Sequence, residues 1–258
     1  MNLPQVRGLL GGVGMVWCYL GILLFAEVLA AGAYPAVSLA VHVALAVALL
    51  VHSAFSKESL GRLYAALALA PLLRVVSLSI PALLADPVYQ YAVVNIPLIL
   101  ASLVAARQLG YTWGEVGLNL RGFWVQIPVA ALGPLLGWLE RLVIQPTPLV
   151  ASLEPSTLIW PVLSLILFTG FSEELLFRGL MQRAAIGALG PTQGICYVAL
   201  VFGVLHLGWH SFPDVLFAVA IGLIFGWIVY RTGSILGVAL AHGIANVFLF
   251  IVLPLLVR

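Results

Sequence analysis

Leu158-Ile-Trp-Pro-Val-Leu-Ser-Leu-Ile-Leu-Phe-Thr-Gly-Phe-Ser-Glu173-Glu174-Leu-Leu-Phe-Arg178 ends a long apolar run with three charged side chains within six residues. A charge at the centre of a bilayer costs about 2.5–3.5 kcal/mol even on lenient insertion scales. Such charges must therefore be paired or put to use. On a helix Glu174 and Arg178 stand at i and i+4 and can pair. Glu173, about 100° round the same helix, is left to find its partner on another element. Nothing breaks the helical pattern before Gly190-Pro191. The helix is thus predicted to continue through the charged stretch to about Gly187.

The rest of the chain supports a membrane setting. Of 258 residues 63% are hydrophobic and only 8% charged, against roughly 25% charged in soluble domains. Mean hydropathy is +1.17. Repeated continuous apolar runs predict an all-α polytopic transmembrane helix bundle, and the lack of period-two alternation disfavours a barrel. A formal charge of +2 without a basic tract gives no footing for nucleic acid. Cys18 and Cys196 sit in apolar runs without CxxC or metal-ligand spacing, and read as buried small hydrophobes. Arg7, the apolar run after it and Ala31-Gly32-Ala33 imitate a signal peptide. The run is longer than a signal's apolar core, which predicts a retained first span.

Nine spans are expected, with eight as the alternative. They run over about Leu9–Ala31, to Phe55, Leu63–Ala85, Val88–Ala106, Phe123–Ile144, Leu158–Gly187, Gly190–Trp209, Val215–Tyr230, and from Ile235 onward. Polar breaks separate them at Ser56–Arg62, Asp86-Pro87, Arg107–Gly122, Gln145–Thr157, Ser211–Asp214 and Arg231–Ser234. With nine spans, Arg7, Lys57, Arg62, Arg107, Arg121, Arg183 and Arg231 fall on one side and only Arg141 and Arg258 on the other. The positive-inside rule then predicts a cytoplasmic N-terminus. Residues 1–122 form a first region of about four spans and a connector, and 123–258 a second. Small-xxx-small pairs, Gly133/Gly137 and Gly222/Gly226, predict close helix packing.

Three further polar groups stand in the apolar helices of the second region: His206 late in the seventh span, and His242 with Asn246 four residues apart on one face of the ninth. At about 1.5 Å per residue, Glu173 and His206 lie roughly 20 and 22 Å above the Gly190 turn, and His242 roughly 12 Å above Gly233. Glu173 and His206 come level only if the sixth helix continues past Arg178. One carboxylate, two imidazoles and a carboxamide at comparable depth make a hydrolytic set. A desolvated Glu beside a His can deprotonate water, and a His with an Asn can donate to an oxyanion.

The motifs Glu173-Glu174-Leu-Leu-Phe-Arg178, Phe202-Gly-Val-Leu-His206 and His242-Gly-Ile-Ala-Asn246, in this order on separate apolar helices, resemble the CAAX protease and bacteriocin-processing (ABI) family of intramembrane endopeptidases, which includes the type II CAAX prenyl proteases. The resemblance spans about Leu158–Val257 and makes 123–258 the catalytic core. It implies that Glu173 and His206 activate water, that His242 and Asn246 stabilise the oxyanion, and that Glu174 and Arg178 support them. It carries two versions of the chemistry: a glutamate-type reaction without metal, and a metal-assisted one in which Glu173, His206 and His242 would hold a divalent ion such as zinc. The implied partner is a membrane-associated protein or peptide, cleaved near the cytoplasmic half of a bacterial-type plasma (inner) membrane.

Competing readings are a transporter or proton relay, which also uses intramembrane Glu, His and Arg, and a non-catalytic scaffold. His206 and His210 share the i, i+4 spacing of helical zinc ligands, but Gly208-Trp209-His210-Ser211 reads as a helix end, which makes His210 interfacial. His42 and His52 lack a carboxylate neighbour in sequence and read as polar packing. Glu27 and Arg74 lie within spans and either pair or snorkel.

Overall fold

The computed structural model describes residues 12–80 and 86–256; Arg7, the end of the expected third span and Arg258 lie outside them. All regular structure among the described residues is helical. Nine of these helices are long and apolar enough to cross a membrane. The first four are α1 (Val13–Ala31), α2 (Pro35–Phe55), α3 (Glu58–Ser79) and α4 (Pro87–Gln108). The others are α5 (Phe123–Arg141), α6 (Pro155–Leu189), α7 (Pro191–Trp209), α8 (Phe212–Thr232) and α9 (Leu236–Leu256). The expected nine spans are borne out by length and composition.

The helix ends follow local chemistry. Asp86 caps α4 by accepting from the Val88 amide at 2.9 Å, with Pro87 in the first turn. Gly190 at φ +81 ends α6, its amide donating to Ile186, and Pro191 opens α7. Two boundaries differ from expectation. The polar stretch before α3 is shorter than Ser56–Arg62, because the helix already begins at Glu58. An acid in the first turn and an Arg62–Glu58 pair at 2.6 Å one turn on carry these polar residues into the helix. The fifth helix stops at Arg141, short of Ile144, and turns at 131–132 between Pro128 and Pro134, where missing amides interrupt the hydrogen-bond ladder.

The described chain forms two compact units. One comprises residues up to Leu78 together with Met181–Gly222, the other Ser79–Leu180 together with the residues from Leu223 on. In the first unit the Ser38 hydroxyl of α2 donates to the Ala26 carbonyl of α1 at 2.8 Å. The Ser53 hydroxyl donates to Gly61 of α3 at 2.8 Å, and Tyr197 of α7 donates to the Val16 carbonyl of α1 at 2.9 Å. Cys18 is exposed and Cys196 half-buried, so neither is the buried hydrophobe that its apolar run suggested. In a chain of this kind an apolar run faces lipid as often as protein.

The second unit is organised around α9. A Cβ on Gly133 would stand 2.5 Å from Ile244, one on Gly137 2.4 Å from the Ala245 carbonyl, and one on Gly170 2.5 Å from the Gly243 amide. Glycines thus let α5 and α6 press against the α9 backbone. The start of α9 is held by Gln126 of α5, whose side-chain oxygen accepts from the Gly237 amide at 2.8 Å. The connector before α5 docks on the α8–α9 turn: Asn119 donates to the Gly233 carbonyl at 2.7 Å and accepts at its own carbonyl from Ser234, also at 2.7 Å.

Candidate active site

Continuation of α6 beyond Arg178 is observed; the helix is unbroken to Leu189. It is not uniformly α. Residues Ile166–Phe171 and Leu175–Met181 are π-helical, with a single α turn, Ser172–Glu174, between them. Each π segment carries a glycine that another backbone approaches: Gly170 under Gly243, and Gly179, whose Cβ would lie 2.7 Å from the Val116 carbonyl. The wider helix re-aims the side chains on either side of the glutamate pair, as π segments do where a helix serves a site.

Glu174, fully buried, accepts at one oxygen, Oε1, from Arg178 Nη1 at 2.9 Å and from His242 Nδ1 at 2.9 Å. The i, i+4 pair is therefore formed, but it is only half of what Glu174 does. A carboxylate oxygen facing Nδ1 means that Nδ1 carries the hydrogen, so the ring's remaining chemistry passes through Nε2. That atom lies 4.0 Å from Glu173 Oε2, longer than a hydrogen bond and within reach of a bridging water. The Glu173 side chain is 25% exposed, against 0% for Glu174. Of the two adjacent carboxylates, Glu173 is the accessible one.

Asn246, one turn beyond His242, is fixed by a residue that its motif does not contain. Its Nδ2 donates to Thr169 Oγ1 at 2.8 Å, while the Thr169 hydroxyl donates to the Leu165 carbonyl. With its own hydrogen spent on Leu165, Thr169 can only accept, so the amide presents its nitrogen and keeps a second N–H to give. A further pair pins α4 beside Glu173: Ser172 donates to Asn95 Oδ1 at 2.9 Å, and Asn95 donates to the Tyr91 carbonyl at 3.0 Å. Thr169, Ser172 and Asn95 escaped the sequence reading. The available signal was a lone Asn in an apolar span and a Thr one turn before Glu173.

Glu173, Glu174, Arg178, His242 and Asn246 all belong to the second unit, and His206 to the first. His206 Nδ1 donates to the Phe202 carbonyl at 2.8 Å. A carbonyl can only accept, so this contact fixes a tautomer whose Nε2 is the basic nitrogen. His206 lies on a 3₁₀ segment, Leu205–Trp209, and His210 follows it at φ +54. The pair therefore does not stand one α-turn apart as helical zinc ligands do. No group of three or more His, Cys, Asp or Glu side chains among the described residues could hold a metal ion.

Residues 155–248 match the family model of the type II CAAX prenyl endopeptidase, Rce1-like. The match begins at the first residue of α6 and ends two residues past Asn246, so it contains all three motifs and bears out the resemblance read from them. Neither the curated proteins nor the solved structures searched gave a match. The family implies an intramembrane endopeptidase acting on a protein or peptide, in keeping with a multi-pass chain of nine candidate spans.

Proposed function

We propose that the protein hydrolyses a peptide bond of a membrane-associated substrate by a glutamate-type reaction centred on Glu173, with residues 123–258 as the catalytic core. The observation that carries this reading is the His242 ring, held at Nδ1 by buried Glu174 with Nε2 turned toward Glu173. Glu173 takes a proton from water, and the oxygen adds to the carbonyl carbon of the scissile bond. The oxyanion receives hydrogen bonds from His242 Nε2, when that atom is protonated, and from the second amide hydrogen of Asn246. The C–N bond then breaks and the proton passes to the leaving amine. The motif alone assigns His206 a share in activating the water, and its tautomer, basic at Nε2, suits that task.

The substrate class follows the family: a protein prenylated on the cysteine of a C-terminal CAAX sequence. The test is cleavage of an internally quenched peptide bearing a prenylated cysteine four residues from its end, by the full chain in nanodiscs. Glu173→Gln should lower kcat by about 10³-fold or more, on the scale set by loss of a general base or its partners, while the variant still folds and inserts. Wild-type protein that cleaves no membrane peptide, yet gives Glu173-dependent ion flux in proteoliposomes, would establish the transporter reading instead.

A further inference from the structure

Three ionisable side chains of the first unit converge where no motif points. Glu27 of α1 and His42 of α2 are fully buried, with His42 Nε2 3.3 Å from Glu27 Oε1. Arg74 of α3 reaches the same carboxylate with two nitrogens: Nε donates to Oε1 at 2.6 Å and Nη2 donates to Oε2. The sequence reading left the role of Glu27 and Arg74 open and gave His42 no carboxylate; the structure supplies Glu27 as the partner of both. A planar fork on a carboxylate is the geometry that makes arginine, not lysine, suited to such a place.

The arginine does not stop at Glu27. Its Nη2 also donates to the Leu205 carbonyl at 3.1 Å. Leu205 is the first residue of the 3₁₀ segment Leu205–Trp209, and His206 is the second. Gly208 in that segment makes room for the contact, since a Cβ there would stand 3.0 Å from Nη2. Helix α1 also packs on the segment. A buried ion pair that merely joined α1 to α3 would need neither the third hydrogen bond nor a glycine beneath the guanidinium.

We propose that Arg74, oriented by Glu27, is a positioning residue for His206. It holds the backbone at the point where α7 changes from α to 3₁₀, and so sets the direction in which the imidazole leaves the helix. The Nδ1 bond to Phe202 fixes the ring about its own bonds, and the Arg74 bond fixes the peptide from which the ring springs. This gives the N-terminal helices, which lie outside the family match, a part in the chemistry. It rests on the reading above only in that His206 takes part in cleavage.

Two readouts test it on the full chain in nanodiscs. In the first, nitrogen-15 spectra of the five histidines are compared between wild type and Arg74→Gln, with His206 assigned by loss of its signal in His206→Ala. The His206 ring signals should move or broaden while those of His242, in the other unit, stay in place. In the second, Arg74→Gln should lower kcat for the prenylated quenched peptide by about tenfold or more with KM unchanged, and should cost nothing further in a His206→Ala background, as expected when one residue acts only through another. Because Arg74→Gln leaves Glu27 buried without its cation, the double variant Glu27→Gln/Arg74→Gln is measured beside it. It carries no unpaired charge and should show the same two effects. An unmoved His206 signal overturns the proposal, as does a kcat within twofold of wild type or a loss that multiplies with that of His206→Ala. Cleavage that survives His206→Ala overturns the assigned role of His206 instead, and is recognised as such because the spectra still report the clamp.

Discussion

At the scale of single residues, the two adjacent carboxylates divide the work by burial and partner. Glu174 has no exposure and holds two donors on one oxygen, which in the proposed mechanism makes it the orienting carboxylate. Replacement by glutamine keeps an oxygen that can accept but removes the negative charge that holds both donors, Arg178 and His242, on it. Glu174→Gln is expected to lower kcat by about 10²–10⁴-fold, the range seen when the group that fixes a catalytic imidazole loses its charge, with far-ultraviolet circular dichroism unchanged. A wild-type kcat in that variant would remove Glu174 from the site. Thr169 makes a subtler case, because its hydroxyl, donating to the Leu165 carbonyl, accepts from Asn246 and so chooses which way that amide faces. Thr169→Val preserves shape and should cost about 10–100-fold in kcat, as loss of an outer orienting group does. Asn246→Ala should abolish the difference between Thr and Val at 169.

At the scale of the element, the meeting of α6 with α9 depends on backbone contact. Gly170 and Gly243 lie against each other with no room for a methyl group: a Cβ on either would come within 2.7 Å of the other helix's backbone. Gly170→Ala must push the helices apart and carry Glu173 and Glu174 away from His242. A destabilisation of about 1–3 kcal/mol is expected for such overpacking, together with loss of cleavage. Gly187→Ala on the same helix meets nothing within 4 Å and should leave both stability and cleavage within error, or raise stability slightly. Thermal unfolding of the two variants in one detergent separates these outcomes. Here the limits of the sequence are plain. The continuation of α6 to its glycine and proline stop was legible, because a missing breaker is a local signal. The π segments were not, since they coincide with close approaches of Gly243 and Val116 from elsewhere in the chain. The second bond of Glu174 was hidden for the same reason. The i, i+4 rule finds Arg178 and has nothing to say about a histidine 68 positions on.

At the scale of the whole molecule, composition and run length were enough to predict nine membrane-crossing helices, because the bilayer core demands about 20 apolar residues per helix and leaves little else to decide. The N-terminal helices resisted reading. Their polar groups, Glu27, His42 and Arg74, lie on three different helices and carry no motif, so only their convergence reveals a purpose. The orientation of the chain rests on an argument about charge. Lys57 and Arg121 lie in connectors that follow even-numbered helices, while Arg62, in the first turns of α3, and Arg107, Arg183 and Arg231, in the last turns of α4, α6 and α8, border such connectors. Two of these cations lie over indole rings, Arg107 on Trp113 at 5.0 Å and Arg231 on Trp227 at 5.5 Å, the pairing expected where side chains meet the headgroup region. Nine crossings would put the two ends on opposite faces, and the charge count predicts a cytoplasmic N-terminus. A fluorescent protein that matures only in the cytoplasm should light when fused before Met1 and stay dark after Arg258, while a phosphatase active only outside should do the reverse. Both ends reporting the same face would mean that one of the nine helices does not cross, and would move every connector after it to the other side.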